Sequence, residues 1–428
     1  MDTLKFVNFL IAVVFAVCYS YQFLYIPLQW ILSRLKRNRK PLPEGNSGNS
    51  YAVLVCARNE EKVIGDLIDS IHSQTYDQHL LTVFVMADNC TDGTAEISRS
   101  RGAVVYEREN KTFVGKGYAL NELFGHIHED YPEGFDGYFV FDADNLLSHN
   151  YIEKMDKKSM EGFEIITSYR NSKNYGDNWI SAGYALWFLR ESRYLNHARS
   201  LIGSSCAVSG TGFLFMRKIA EEINGWHYYT LTEDIEFSID QITKGRKVGI
   251  CTEAELYDEQ PVKFRQSWRQ RLRWSRGYLQ VLHRYGKRLA YGIFHGSFSC
   301  YDMTMNIMPA FFLTTVSALS NLTLGVVGVI TGGSIVTALM SIAQTFLNMY
   351  LLLLAVGGIT VITEWKHIRT SPFKKVLSAF TFPLFMFTYI PIALASLFIK
   401  AEWKPIEHSV SLRSIEERND AERLISAE

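Results

Sequence analysis

The 428-residue sequence carries no net formal charge, with 44 Lys plus Arg against 44 Asp plus Glu. No bulk attraction therefore directs it to nucleic acid or to an acidic polymer, and any electrostatic function must be local. It also lacks any CxxC pair. Its six cysteines (Cys18, Cys56, Cys90, Cys206, Cys251 and Cys300) are scattered, which excludes a disulfide framework or a zinc site and fits a reducing cytosolic face. Charge is missing altogether from two long stretches, residues 6–33 and 303–363. With 47% hydrophobic and 14% aromatic residues, the chain has material for one sizeable soluble core and several membrane spans.

The first uncharged stretch exceeds the roughly 20 apolar residues that a helix needs to cross a hydrocarbon core of about 30 Å. A signal peptide would carry its basic residues before the apolar run, whereas Arg34, Lys36, Arg37, Arg39 and Lys40 follow it. An anchor is expected, with its basic flank and everything downstream on the cytoplasmic side. The second stretch has room for two spans with a turn at Gly332-Gly333. A third apolar run, Val376 to Ile399, contains Pro383 and Pro391. Three full crossings would leave the charged tail outside; a re-entrant last segment would keep it in the cytosol. The expected organisation is an anchor (1–40), a catalytic domain (41–260), amphipathic interface helices (261–300), about three membrane segments (301–400) and a charged tail (401–428).

Between these membrane regions, apolar runs alternate with helical periodicity. Residues 51–57 read as a buried strand. Val63, Ile64, Leu67, Ile68 and Ile71 follow at helical spacing, with Asn59 placed to cap the helix. Strands over 81–86, 103–106 and 137–141 and helices from Thr94 and about Lys116 continue the pattern. Repeated βα units predict an α/β fold with a mostly parallel, Rossmann-like sheet, whose ligands gather at the carboxyl ends of the strands.

Those ends carry acid: Glu60 after the first strand, Asp88 after the second, and Asp142 with Asp144 after the fourth. Converging carboxylates repel unless a cation or hydrogen-bond donors compensate. Two carboxylates in Phe141-Asp-Ala-Asp-Asn145 suit Mg²⁺ or Mn²⁺ shared with a diphosphate. A second acidic pair stands in Thr232-Glu233-Asp234, and Gln270-Arg-Leu-Arg273-Trp274 follows. Ser209-Gly210-Thr211-Gly212 is either a plain turn or a place where backbone approaches a ligand. Residues 263–288 hold nine Lys or Arg and no acid, as a helix lying in the membrane interface would.

In this order, Asn59-Glu60, Asp88, Asp142-x-Asp144, Thr232-Glu233-Asp234 and Gln270-x-x-Arg273-Trp274 resemble the family 2 glycosyltransferases. The likeness is to their membrane-embedded processive branch of cellulose, chitin, hyaluronan and poly-N-acetylglucosamine synthases, over roughly residues 50 to 290. The resemblance implies a GT-A fold and an inverting hexosyl- or N-acetylhexosaminyltransferase. It implies a UDP-sugar donor and a growing polysaccharide as acceptor; transfer of one sugar to a lipid is the alternative. It assigns Asp234 as general base. Glu60 and Asp88 would hold the nucleoside, and Lys116, Gln270 and Arg273 would lie near the nucleotide and its diphosphate. Asp142 and Asp144 would hold the diphosphate and the metal, Mg²⁺ or Mn²⁺. Gly210, Thr211, Gly212, Glu233 and Trp274 would form the acceptor site. The segment from Glu402 to His408 is either a gating segment of the kind that covers the site in processive synthases or an interfacial tryptophan anchor. The expected setting is multi-pass in a bacterial plasma membrane, with the lipid bilayer and a homo-oligomer or channel subunit as partners. A catalytically silent protein that binds nucleotide sugar is a third reading, opposed by the intact Asp142, Asp144 and Asp234.

Overall fold

The computed structural model describes residues 2–36, 45–308, 319–399 apart from 321, 324 and 332–334, and residue 408. In chain order the elements are α1 (Asp2–Lys36), β1 (Tyr51–Ala57), α2 (Ile64–His72), β2 (Leu81–Asp88), α3 (Thr94–Ser100), β3 (Val104–Arg108), α4 (Lys116–Asp130), β4 (Gly137–Asp142), β5 (Leu146–Leu147) and α5 (Tyr151–Ser159). They continue with β6 (Ile165–Ser172), α6 (Trp179–Arg190), α7 (His197–Leu201), β7 (Phe213–Met216), α8 (Arg217–Ile223), α9 (Glu233–Thr243), β8 (Val248–Asp258), α10 (Phe264–Phe294) and α11 (Phe298–Ile307). The last three helices are α12 (Ile335–Thr363), α13 (Pro372–Phe387) and α14 (Tyr389–Phe398).

The strands form one sheet in the order β3-β2-β1-β4-β7-β6-β8-β5. In its first half, β1 runs parallel to both neighbours, with Tyr51 level with Leu81 and with Gly137. The expectation of a mostly parallel sheet is corrected in the other half, where β7 is antiparallel to β4 and β6, and β5 is antiparallel to β8. The chain passes from β6 through α6 and α7 to the 209–212 turn, enters β7 there and continues directly into α8.

Both faces of the sheet are covered, as an α/β sheet requires. Tyr51, Val53 and Val55 pack with α2 and α5, whereas Ala52 and Leu54 pack with α4 and Trp226. Burial of each large apolar side chain contributes about 1.5–3 kcal/mol. Asn59 does not cap α2. It sits at φ 60° and its side chain accepts from the Thr91 amide at 2.8 Å, tying the loops after β1 and β2 together.

Two segments, Ile342–Thr363 and Pro372–Phe398, are long and apolar enough to cross a membrane. In the second, the helix is interrupted at Thr388, and both parts pack on the catalytic domain through α6 and α10. The expected Gly332-Gly333 turn and residues 401–407 lie outside the described residues. α10 is amphipathic, with one correction to its expected solvated or lipid-facing cations. Arg271 is fully buried, donates to Thr388 Oγ1 at 2.7 Å and lies over the Phe385 and Tyr389 rings.

Candidate active site

The carboxyl ends of β1, β2 and β4 bring Glu60, Asp88, Asp142 and Asp144 to one rim of the sheet, and the first turn of α9 contributes Glu233 and Asp234. All six carboxylates line one cavity of about 1190 Å³. Lys116, Gly210, Gln270, Arg273 and Trp274 line it too. Of the residues singled out from the sequence, Thr211 and Gly212 stand apart. Thr211 is buried against Asn145 and bonds the Asp142 amide, and a Cβ on Gly212 would lie 1.8 Å from Leu256. These two shape the turn beneath the cavity.

Each carboxylate has different company. Asp88 is buried and accepts from Arg108 Nη1 at 2.6 Å and from Asn89 Nδ2 at 2.7 Å. Asp142 pairs with Lys116, whose Nζ also donates to the Gly210 carbonyl at 2.8 Å. Burial opposes the charge on Lys116, but Asp142 and Glu233 outweigh it and raise its pKa. Asp144 accepts from the Glu259 amide at 2.8 Å. Burial would raise its carboxyl, yet His408 and then Lys173 hold it below the ordinary range. His408 Nδ1 lies 3.0 Å from the Glu60 carboxylate. Despite burial, Asp144 and Glu60 push this imidazole up to about 10, so it is a cation at neutral pH.

Asp234 is raised by burial, against the opposing influence of the Ile235 amide, Lys116 and Arg273. Glu233 is pushed up to about 7 by burial and by the charge of Asp234. The backbone comes close here: Gly210 has φ +81°, and a Cβ on it would lie 3.6 Å from Asp234 Oδ2. Gly117 is constrained by space instead, because a Cβ there would fall 2.0 Å from the Tyr228 carbonyl oxygen. α4 can thus bring Lys116 to the start of α9 only without a side chain at 117. On α10, Arg273 donates to the Leu231 carbonyl at 3.2 Å, and Trp274 meets Tyr184 and Phe188 edge-on. The buried Gln270 Oε1 has no hydrogen-bond partner among the described residues.

Sequence reasoning missed Arg170, which donates to Asp258 and to the Ser209 carbonyl and lies 3.7 Å over the Phe188 ring. Asp258 ends β8 as Asp142 ends β4, so the strand-end pattern held a signal for it. His408 carried none, since only tertiary contact with Glu60 and Asp144 identifies it.

Among the described residues no three His, Cys, Asp or Glu side chains form a ready metal cage. The donor set still fits a hard divalent cation. Among the described residues Asp144 has within hydrogen-bonding distance only the Glu259 amide and a long 3.4 Å contact from Asn145, leaving carboxylate lone pairs open beside Asp142.

A mixed sheet with an acid-rimmed cavity at its carboxyl edge defines a GT-A-like α/β fold. The chain belongs to the family described as glycosyltransferase like family 2, whose model matches residues 48–277. It is 25% identical to the beta-monoglucosyldiacylglycerol synthase of Synechocystis over 53% of this chain and 47% of that one. It is 23% identical to the poly-beta-1,6-N-acetyl-D-glucosamine synthase of Staphylococcus aureus over 59% of this chain and 60% of that one. The chain thus spans about half of the first relative and three fifths of the second. The fold is similar to that of a mannosyltransferase from Pyrobaculum calidifontis in complex with GDP-Man and Mn²⁺. The TM-score is 0.55 at 16% identity, covering 91% of this chain and 98% of that one.

Proposed function

We propose that the protein is an inverting glycosyltransferase that moves one sugar from a nucleotide sugar to a hydroxyl of a membrane lipid. One observation carries the choice of acceptor. The cavity that contains Asp234 continues without a break between apolar side chains of α1, α12 and α14, among them Phe23, Phe346 and Ile390. An acceptor with an apolar tail fits such a passage, because its tail stays in apolar surroundings while its head reaches the carboxylate. Elongation of a polysaccharide is the second reading, favoured by the similarity to the staphylococcal synthase over 59% of the chain.

In this mechanism Asp234 takes the proton from the acceptor hydroxyl as that oxygen attacks the anomeric carbon. Its burial makes it a stronger base than a free aspartate, while Lys116 and Arg273 favour its ionised form. Glu60 and Asp88 hold the nucleoside, with Arg108 fixing the rotamer of Asp88. Lys116 and Arg273 stabilise charge developing on the departing diphosphate, and Gln270 offers it a side-chain amide. Asp142 and Asp144 would hold Mg²⁺ or Mn²⁺, which when bound neutralises the diphosphate. Trp274, Glu233 and the Gly210 backbone border the acceptor; the buried Thr211 and Gly212 support that turn. The donor is expected to be a UDP-sugar carrying a hexose or N-acetylhexosamine, and the catalytic domain to face the cytosol.

The test is the full chain in lipid with Mg²⁺ or Mn²⁺ and a panel of UDP- and GDP-sugars, reading released nucleoside diphosphate and product size. A single-sugar glycolipid is expected. Its formation should fall by about 10²–10⁴ in Asp234→Asn, the usual worth of a general base. A long polymer would instead establish the second reading, and unchanged turnover in Asp234→Asn would remove the mechanism.

A further inference from the structure

Arg190, the last residue of α6, lines the same cavity. Among the described residues it has no carboxylate within ion-pair distance; its guanidinium lies 5.5 Å from the Trp187 ring centroid. Burial and the nearby Arg199 guanidinium both disfavour its charge and push it down to about 10. Arg170, Arg199 and Arg108 each have a carboxylate partner, in Asp258, Asp302 and Asp88, whereas the buried Arg271 is held by Thr388 and aromatic rings. Arg190 is thus a cavity-lining cation without an ion-pair partner among the described residues, its charge favoured only at longer range by Glu191.

Two amide side chains on the wall of the same cavity, Asn306 and Gln22, have spare hydrogen-bond donors. Asn306 accepts from Arg199 Nη2 at 3.5 Å through Oδ1, and its NH₂ has no partner among the described residues. Gln22 donates only a 3.3 Å bond to the Tyr21 hydroxyl, which leaves its second N–H without a partner among the described residues. Ile11, Ala16 and Phe23 of α1 line the cavity beside them. A π-helical turn over Glu191–Asn196 follows Arg190 directly. Tyr278 lines the cavity as well, and burial, then Glu191 and Asp234, raise its hydroxyl.

We propose that Arg190, with the amides of Gln22 and Asn306, holds the phosphate of an anionic lipid acceptor and thereby positions the acceptor head toward Asp234. The guanidinium fork matches phosphate oxygens with two parallel hydrogen bonds, and the apolar wall takes the chain. This inference rests on the lipid-acceptor reading and deepens it by naming the charge of the acceptor.

The test is equilibrium binding to the full chain in detergent. The probes are dodecyl phosphate, the uncharged octaethylene glycol dodecyl ether and inorganic phosphate, each with and without saturating UDP or GDP. Dodecyl phosphate should bind, the ether and inorganic phosphate should bind far more weakly, and nucleotide should not displace the probe. Arg190→Gln should weaken dodecyl phosphate about tenfold or more, the scale of a charge-assisted contact, and Arg190→Lys should restore part of it. Unaltered nucleotide binding in Arg190→Gln establishes that it is folded, and Arg190→Lys carries the test if it is not. Equal affinity for the ether, or no effect of either variant, would overturn the site. Displacement by nucleotide would place the phosphate in the donor pocket and overturn it as well. Inorganic phosphate binding as tightly as dodecyl phosphate would overturn the lipid source. The binding readout needs no turnover, so a polymer product in the transfer assay would remove the lipid-acceptor reading while leaving the phosphate measurement independent.

Discussion

Glu233 and Asp234 are neighbours on one helical turn, yet their environments separate them. Burial and then the charge of Asp234 raise Glu233 from the ordinary 4.5 to about 7. A carboxyl raised on folding binds its proton more tightly in the folded state. Its stabilising contribution is therefore complete below 4.5 and is lost as pH rises toward about 7. Glu233→Gln removes that loss. Thermal unfolding in detergent should show the variant gaining on the wild type across this pH window, with no further gain above it. Parallel curves at all pH values would refute the assignment. Arg108 acts on a different residue of the site, since its side chain is 2% exposed and is shared between Asp88 and Glu122. Arg108→Met leaves Asp88 a buried, unpaired carboxylate, and breaking such a pair costs about 3–5 kcal/mol. Reduced thermal stability together with weakened nucleotide binding by calorimetry is the expected pair of results.

At the scale of elements, the site depends on close approaches that only glycine allows. Gly117 lets α4 touch the chain at Tyr228, and a Cβ on Gly277 would lie 2.5 Å from Thr232 Oγ1, letting α10 press against the start of α9. The backbone oxygen facing residue 117 is less able to yield than the threonine side chain facing 277. Gly117→Ala should therefore cost about 1–3 kcal/mol, as overpacking does, and displace Lys116 from Asp142. Gly125→Ala on the same helix meets nothing within 4 Å and serves as the control, with equal or greater stability from the better helix former. Thermal melting and nucleotide affinity of the two variants check this; equal behaviour would show that α4 can shift freely.

Across the whole molecule, one buried network ties α1 to the catalytic domain. The Asp302 carboxylate of α11 accepts from Arg199 Nε at 2.8 Å and Nη2 at 2.9 Å, and from the hydroxyls of Tyr21 at 2.8 Å and Tyr25 at 2.7 Å. Asp302→Asn leaves Arg199 buried without its counter-charge, so stability should fall by about 3–5 kcal/mol. Replacing both partners by apolar residues, Arg199→Met with Asp302→Leu, should recover much of the loss, because neither charge then remains to be desolvated. Detergent melting curves of the single and double variants test this, and a double variant no better than the single would show that the tyrosines alone hold α1.

The sequence by itself determined the parallel half of the sheet, because apolar runs at 51–57, 81–86 and 137–141 followed by acids can pack in few other ways. It also marked the strand-end carboxylates, whose spacing is local. The antiparallel insertion of β7 between β4 and β6 was illegible because β7 is a short apolar segment without a period that distinguishes direction. Arg170, Arg190 and His408 were hidden for a related reason. A cation's role depends on which carboxylate or cavity lies beside it, and those partners are 88 residues away for Arg170 and 348 for the His408 contact with Glu60. Only tertiary packing decided that the catalytic rim and the apolar faces of α1, α12 and α14 share one cavity. No local pattern encodes a space enclosed by segments from both ends of the chain.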